Sequence, residues 1–476
     1  MACVRYAPLL LLVLTLGCDD FPKTPPSDLG TPDLSPGSED LRVPGAATKC
    51  TAAGGAKLLS SLPGSHAYPR LGFTGTTFVA AWNTQVVEMS QVMNRIDVTL
   101  TDKDGNKLGP NLPMSRLPVA DFWAPSVTPL LGGTVIAWTR VTTGGNQYAT
   151  DVVINTLDQT GQKLDPTGTA CDPANDACGV FQVTTSGTAS YPYLARPQVD
   201  LNTAVPTDSQ VGLTFVDSRN HPCPPGPGCV GLNDVFWKKI QANGTELIGD
   251  RQLTASGSNS RNAFPRLAFD GVHDGIVWRD DSSGVNTNFL FATLDGSGQI
   301  SSPAAKIGTA SGSYVSAGAP DLVWTGVEYA LATATGSDVQ ASVVFQRFQS
   351  NGVTSLAPVG VTFGGVSCTP AIAWDGQFYA VVWQTNCGQP GSDLAFELID
   401  ALGVRQRPDG TSCGTSLDPS CGVTLLTNNT TEIAAFPELA WAGDRTFGVT
   451  WMSTDTGDAG TPQSQVYFSR IDCTAP

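Results

Sequence analysis

The sequence predicts an all-β protein built as a seven-bladed β-propeller whose last blade is completed by both ends of the chain. Three observations support this prediction. A pattern of proline, aliphatic and aromatic residues recurs seven times after residue 60. Each repeat has room for four short strands, and the strand missing from the last repeat is found ahead of the first. No stretch places apolar residues at helical spacing over three turns, so helices are not expected.

The composition suits short strands joined by many turns. The 476 residues include 51 glycines and 34 prolines, and only 14% of them are charged, against roughly 25% in an average soluble domain. The net charge is −16. Because nucleic-acid binding needs clustered Lys and Arg, we expect no nucleic-acid partner.

Residues 1–17 have the features of an export signal. Arg5 precedes an apolar run over residues 9–14, which is too short to cross a bilayer core of roughly 30 Å as a helix. The run ends in Thr15-Leu16-Gly17-Cys18, which resembles the bacterial lipoprotein signal, although that family usually has Leu where Thr15 stands. The resemblance implies a lipid on Cys18 and attachment to a membrane through acyl chains. An ordinary cleaved signal peptide is the alternative, and both predict export.

The next segment, residues 18–47, is expected to be an extended tether. Proline recurs there among Ser, Asp and Gly, and few side chains are available to form a core. The predicted propeller then occupies residues 48–476.

Each repeat begins with a lead proline on the innermost strand of its blade. The lead prolines are Pro69, Pro125, Pro197, Pro265, Pro320, Pro370 and Pro437. A second strand then centres on an aromatic residue in six repeats, and on a threonine in the fifth: Trp82, Trp138, Phe215, Trp278, Thr333, Trp383 and Trp451. Units of this length with four short strands are typical of propeller blades, which stack because one blade cannot bury both faces alone. Immunoglobulin-like sandwiches are the rival architecture, but each needs about 100 residues.

Closure of the ring is predicted from the two ends. The last repeat stops at its third strand, over residues 466–473, and a matching fourth strand is found over residues 56–60. This pairing would place Cys50 beside Cys473, so we predict a disulfide between them. Closing the ring also removes the open sheet edges that promote aggregation.

The remaining cysteines are predicted to pair locally, as expected in an oxidising compartment. Sequence proximity suggests the pairs Cys171–Cys178, Cys223–Cys229, Cys368–Cys387 and Cys413–Cys421. The loops around the first and the last of these pairs have similar sequences. Zinc is the competing interpretation, but the pairs fall in different blades of an exported chain.

Motifs for catalysis or metal binding are weak. Ser412 matches a nucleophile-elbow pattern but falls in a predicted disulfide loop rather than a strand-to-helix turn. His66, His221 and His273 are interpreted as separate loop residues, and the turn that starts at Asp102 lacks the remaining ligands of a calcium loop. We therefore expect no metal, no cofactor and no catalytic residue.

The rim of the central channel is the predicted ligand site. The residues after the lead prolines should share one ring position: Arg70, Ser126, Gln198, Arg266, Asp321, Ala371 and Glu438. Aromatic residues precede this position in several blades. The predicted ligand-binding residues are Tyr68, Arg70, Trp123, Gln198, Arg266, Asp321 and Glu438. The alternative is that the aromatic residues pack on neighbouring blades and the charged residues are merely solvated.

Over residues 50–476 the repeat pattern resembles secreted bacterial β-propeller lipoproteins, and this resemblance implies no specific activity. We expect an exported, monomeric binding or scaffolding module, anchored by lipid, that captures a protein or glycan of the cell envelope or its surroundings and is not an enzyme. One alternative is a polysaccharide hydrolase or lyase that uses Asp321 and Glu438 as its carboxylates. Another is a structural subunit of an envelope assembly.

Overall fold

The computed structural model describes most of the chain after residue 48. The described residues are 49–60, 64–88, 91–114, 121–130, 132–141, 150–172, 175, 178–195, 210–221, 232–255, 257, 260–283, 286–311, 319–336, 341–362, 365–407, 412–414, 421–443, 445–454 and 463–474. Lipidation at Cys18 and the predicted signal and tether fall outside these residues and remain predictions.

The described residues form seven antiparallel sheets, one for each blade. Blade one contains β2 (Ser65–Phe73), β3 (Phe78–Glu88), β4 (Gln91–Thr101) and β5 (Leu112–Pro113). Blade two contains β6 (Asp121–Leu130), β7 (Gly133–Val141), β8 (Thr150–Asp158), β9 (Lys163–Leu164) and β10 (Phe181–Gln182). Blade three contains β11 (Ala189–Ala195), β12 (Gln210–Asp217), β13 (Asp234–Gln241) and β14 (Glu246–Gln252).

The other four blades repeat this order. Blade four contains β15 (Asn262–Phe269), β16 (Asp274–Asp280), β17 (Asn286–Leu294) and β18 (Ile300–Ser311). Blade five contains β19 (Asp321–Trp324), β20 (Tyr329–Thr335), β21 (Ser342–Phe348) and β22 (Thr354–Gly360). Blade six contains β23 (Ser367–Trp374), β24 (Phe378–Thr385), β25 (Leu394–Asp400), β26 (Arg405–Gln406) and β27 (Thr424–Leu425). Blade seven contains β28 (Ile433–Trp441), β29 (Thr446–Thr454), β30 (Ser464–Thr474) and β1 (Lys49–Leu58). The predicted seven-bladed propeller is confirmed.

The predicted closure of the ring is confirmed as well. Strand β1 pairs with β30, so the first described strand completes the last blade. In this register Cys50 lies opposite Cys473, and the two residues form a disulfide across 423 positions of sequence. The pairing continues to Leu58 opposite Tyr467, which agrees with the predicted position of the missing strand.

The core consists of the layers between adjacent blades. The large aromatic residues of the second strands are buried there, as predicted: Trp82, Trp138, Phe215, Trp278, Trp383 and Trp451. Burying one such side chain stabilises the fold by about 1.5–3 kcal/mol. Each blade therefore depends on its neighbours for stability.

A buried Asp–Thr contact fixes the outer strand in several blades. Thr254, just after β14, donates a hydrogen bond to the carboxylate of Asp234 at 2.9 Å and accepts the N–H of Val235 at 3.1 Å. Thr184 makes the same pair of contacts with Asp151 and the following N–H in blade two. Because these carboxylates are buried, each hydroxyl group adds one of the several hydrogen bonds that stabilise the buried charge.

The local disulfides in the described residues follow the prediction. Bonds join Cys171 to Cys178, Cys368 to Cys387 and Cys413 to Cys421. The first and the third close equivalent turns, as the similar loop sequences suggested, since the N–H groups of Cys171 and Cys413 both donate to the outer strand that precedes them. The predicted Cys223–Cys229 pair lies outside the described residues. Four disulfides indicate an oxidising, extracytoplasmic environment.

Within the part of the chain that the structure describes, no helix has the length and apolar character needed to cross a membrane.

Candidate functional site in the central channel

A backbone bulge recurs on the innermost strands. In blade one, Ala67 pairs with Asn83 and Arg70 pairs with Ala81, so Tyr68 and Pro69 together lie opposite a single residue. Proline has no N–H to donate to the sheet, so the pairing is interrupted here. Tyr68 adopts a left-handed φ of 54°, and Phe264, Thr369 and Phe436 do the same at the equivalent point of their blades. Such a bulge redirects the side chain that follows it.

The residue after the bulge defines one ring position around the channel. It pairs with the residue immediately before the buried residue that centres the second strand. By this register the ring consists of Arg70, Ser126, Tyr193, Arg266, Asp321, Ala371 and Glu438. The prediction was correct for the register of six blades.

In the third blade the predicted register was wrong. The bulge of β11 lies between Ser190 and Tyr193, so Pro192 is the lead proline and Tyr193 takes the ring position expected for Gln198. The physical reason is that Pro192 has no N–H to donate, so it interrupts the pairing within β11 before the chain reaches Pro197. Gln198 itself lies outside the described residues.

Four charged side chains and one tyrosine from five blades converge at the ring. Arg70 donates a hydrogen bond to the carboxylate of Glu438 and forms an ion pair with it. Arg266 Nε lies 3.7 Å from Asp321 Oδ1. The Arg266 guanidinium also lies over the Tyr193 ring, 4.7 Å from its centroid. The four charged side chains are between 9% and 17% exposed, so they lie inside the channel rather than on an open rim.

Burial shapes the electrostatics of this cluster. Burial and the nearby Glu438 carboxylate raise the pKa of Asp321 to about 7, and the cations Arg266 and Arg70 offset only part of that rise. The N–H of Ile372 donates to Asp321 Oδ2 at 2.8 Å and also favours the ionised form. Burial raises the pKa of Tyr193, with a further rise from Asp321. Asp321 therefore changes its charge near neutral pH.

The two arginines of the ring differ in their partners. Burial acts to lower the pKa of Arg70, but Glu438, Tyr193 and Asp321 together more than compensate, and the pKa is raised. Burial and the neighbouring Arg70 lower the pKa of Arg266. The Nε of Arg266 is buried and has no hydrogen-bond partner among the described residues. Arg70 thus forms a hydrogen-bonded ion pair with Glu438, whereas Arg266 approaches Asp321 only at 3.7 Å and its Nε has no acceptor among the residues that the structure describes.

A cavity of about 230 Å³ adjoins the cluster. Its wall includes Arg70, Tyr193, Asp321 and Glu438, and it extends along the innermost strands of blades five, six and seven. Two tryptophans from the ends of β23 and β28, Trp374 and Trp441, complete this wall. Trp441 is 38% exposed, which gives the cavity an accessible aromatic surface.

The predicted aromatic residues precede the lead prolines, whereas the residues at the ring position follow them. Tyr68 packs edge-on against Phe436 with ring centroids 4.8 Å apart. Phe264 lies under the guanidinium of Arg279 at 4.9 Å. Trp123 belongs to β6, but its side chain lies outside the described residues. Packing on a neighbouring blade, the alternative considered for these residues, accounts for Tyr68.

The remaining candidates from the sequence do not assemble into a second centre. His66 is buried, not in a surface loop as expected, because it is on β2 and hydrogen-bonds Thr84 at 3.0 Å. His221 contacts Asp234 within blade three, and His273 contacts Asp270 within blade four. Ser412 forms an isolated β-bridge with Gln406, directly before the loop that the Cys413–Cys421 disulfide closes. The Asp102 carboxylate accepts N–H groups of its own turn.

Comparisons with known proteins identify no family for this chain. No family model and no curated protein matches the sequence. Among solved structures, the polysaccharide lyase Uly1 is similar over 86% of this chain and 90% of its own, with 11% identity and a TM-score of 0.49. A neuraminidase-like protein of A/flat-faced bat/Peru is similar over 89% of this chain and 95% of its own, with 10% identity and a TM-score of 0.41. A protein of unknown function from Dyadobacter fermentans covers 90% of this chain at 8% identity and a TM-score of 0.45, with all of its own chain matched. At these identities the likeness concerns the fold alone.

Proposed function

We propose that this protein is an extracytoplasmic binding module that holds one unit of a glycan in the central channel. The observation that supports this most directly is the convergence of Arg70, Tyr193, Asp321 and Glu438 on a cavity walled by Trp441. Paired cationic and anionic groups bond to hydroxyl groups as donors and acceptors, and an exposed indole packs on the apolar face of a sugar ring. The cavity volume of about 230 Å³ suits a ligand group of that size.

The binding test uses the exposed tryptophan. We expect the full chain to bind a subset of glycans on an array, and the Trp441→Ala variant to lose at least ten-fold in affinity for them. Leu402→Ala is the matched control, because Leu402 is 57% exposed and does not line the cavity. Equal binding by both variants and the wild type would contradict the proposed site. A folded protein that binds no glycan would contradict the proposed function.

A second candidate function is the cleavage of a polysaccharide at the same cavity. The observation that favours it is the pair of buried carboxyl groups in unlike environments. Asp321 has a pKa of about 7, whereas Glu438 is ion-paired with Arg70. A protonated acid beside an ionised carboxylate is the arrangement that acid–base cleavage of glycosidic bonds requires. Release of new reducing ends or unsaturated products, lost in both Asp321→Asn and Glu438→Gln, would establish it.

The membrane anchor is part of the proposal. We infer that the mature chain begins at Cys18, carries lipid there, and is attached to the membrane by the segment over residues 18–47. We expect labelled fatty acid to enter the wild-type protein and not the Cys18→Ser variant, which would be released in soluble form. An unlabelled, soluble wild-type protein would instead indicate an ordinary cleaved signal peptide.

A further inference from the structure

Arg266, whose buried Nε has no acceptor among the described residues, indicates what kind of ligand the channel binds. We propose that Arg266 binds a carboxylate of the ligand, so that the glycan unit held in the channel is a uronic acid. This inference rests on the proposed function and names the ligand class of the same site.

Arg266 has a buried donor, Nε, with no hydrogen-bond acceptor among the described residues. Its side chain is 9% exposed. A buried donor without a partner costs about 1–3 kcal/mol, and more when it is charged. A ligand that brings an acceptor to this position would recover that free energy on binding.

Asp321 does not accept a hydrogen bond from Arg266 Nε. Its nearest oxygen lies 3.7 Å from Arg266 Nε, beyond hydrogen-bonding distance. Its other oxygen is held by the N–H of Ile372 at 2.8 Å. The neighbouring pair shows the contrast, because Arg70 bonds directly to Glu438. The channel therefore contains one hydrogen-bonded ion pair and one longer ion pair whose arginine Nε has no acceptor among the described residues.

Arg266 does not itself line the cavity, but it lies directly beside two residues that do. Tyr193 lies 4.7 Å from the guanidinium, and Asp321 lies 3.7 Å from Nε. The ring of Tyr193 supports one face of the guanidinium plane, so that bonding is left to the N–H groups at its edge. Those groups form a planar fork that matches the two oxygens of a carboxylate.

The charge of the ring favours a carboxylate over a phosphate. Arg70 and Glu438 neutralise each other, and Arg266 and Asp321 also sum to zero when Asp321 is ionised. Protonation of Asp321 leaves one net positive charge, which a single carboxylate balances. A phosphate dianion would leave an additional buried charge without a partner, which is costly.

This arrangement also predicts the direction of pH dependence. The groups that face Asp321 are Arg266, Arg70, Glu438, Tyr193 and the N–H of Ile372. When Asp321 takes up a proton, the anion that competes with the ligand for Arg266 disappears. A sugar carboxylate stays ionised down to about pH 4. Affinity for a uronate should therefore rise as the pH falls from 8 to 6.

The test compares sugars that differ only in that charge. Trimers of galacturonate, glucuronate and mannuronate are titrated into the full chain by calorimetry at pH 6 and pH 8, each beside its methyl ester. We expect at least one acid trimer to bind ten-fold or more tightly than its ester at pH 6. We expect Arg266→Gln to abolish that preference and Arg266→Lys to retain part of it. Arg470→Gln is the matched control, because Arg470 is paired with Asp472 on blade seven.

The outcomes separate this inference from the proposed function. Neutral sugars that bind as well as uronates, with no effect of Arg266→Gln, would overturn the inference and leave the glycan site intact. Binding of no sugar at all would overturn both. A tripeptide with a free C-terminal carboxylate is included beside its amide, and a preference for that peptide over every uronate would also overturn the inference. Thermal melts of each variant confirm that the protein is folded.

Discussion

Asp321 should make the folded protein less stable as the pH rises through neutrality. Its carboxyl group is buried beside Glu438, and its pKa in the folded state is about 7 against 3.8 for the unperturbed group. Between these two values the folded chain holds a proton that the unfolded chain has released. The folded state therefore binds more protons than the unfolded state, and the free energy of unfolding falls with increasing pH over this window.

The magnitude follows from the same two pKa values. One unit of difference corresponds to about 1.4 kcal/mol. From pH 5 to the folded-state pKa of about 7, the pH rises by about two units while the carboxyl group is ionised in the unfolded chain and still protonated in the folded one. The free energy of unfolding should therefore fall by about 3 kcal/mol between pH 5 and pH 8.5. Replacing Asp321 with Asn removes the titration while an amide oxygen can still accept the N–H of Ile372. The new amide group near Arg266 changes the free energy of unfolding by an amount that is the same at every pH.

The assay is urea unfolding followed by tryptophan fluorescence at half-unit intervals from pH 5 to pH 8.5. The difference between the Asp321→Asn variant and the wild type should grow by about 3 kcal/mol in favour of the variant as the pH rises. Asp165→Asn is the control, because hydrogen bonds from Thr167 and Thr169 lower the pKa of Asp165. Its carboxyl group is therefore ionised in both the folded and the unfolded state over this range, and the difference between this variant and the wild type should not change with pH. Parallel curves for Asp321→Asn and the wild type would refute the reasoning.

Three further predictions concern stability. The double variant Cys50→Ser/Cys473→Ser should lose about 6 kcal/mol on the loop-entropy estimate for a separation of 423 residues, and a calorimetric melt that is unchanged would contradict a closing role for this disulfide. Burial raises the pKa of Glu397 to about 9, so Glu397→Gln should stabilise the protein by about 3 kcal/mol at pH 7 and very little at pH 4.5 in urea titrations. Thr254→Val removes the hydroxyl that donates to Asp234 and should cost about 2 kcal/mol in the same assay; an unchanged midpoint would argue against the Asp–Thr contact as a determinant of stability.

The architecture could be predicted because each of its features leaves a local trace in the sequence. A blade needs a turn, an innermost strand and an aromatic residue that fills the space to its neighbour, and these recur from Trp82 to Trp451. Closure could be predicted because the last repeat is one strand short and a cysteine lies near each end. Repetition supplied seven independent observations of one pattern, so a single irregular blade did not obscure it.

The third blade shows where that reasoning fails. The sequence pattern favours Pro197 as the lead proline of this blade, since an aliphatic residue follows it at the expected spacing. The structure instead places the bulge at Tyr191-Pro192, where an aromatic residue directly precedes the proline. The same pair is visible at Tyr68-Pro69, Phe264-Pro265 and Phe436-Pro437. Giving it more weight would have identified Tyr193 as a member of the ring.

The pairing inside the channel could not be predicted from the sequence, because it depends on which blades are neighbours across the closure. Arg70 and Glu438 are 368 positions apart, and they meet only because β1 completes blade seven and brings that blade against blade one. Tyr68 and Phe436 make the equivalent aromatic contact across the same boundary. Two of the four charged residues of the cluster, Arg70 and Glu438, are therefore brought together by the closure of the ring. The Cys50–Cys473 disulfide joins the two strands that make this closure. A break in that pairing would separate Arg70 from Glu438 and leave two buried charges unpaired, so ring closure and the candidate site should be lost together.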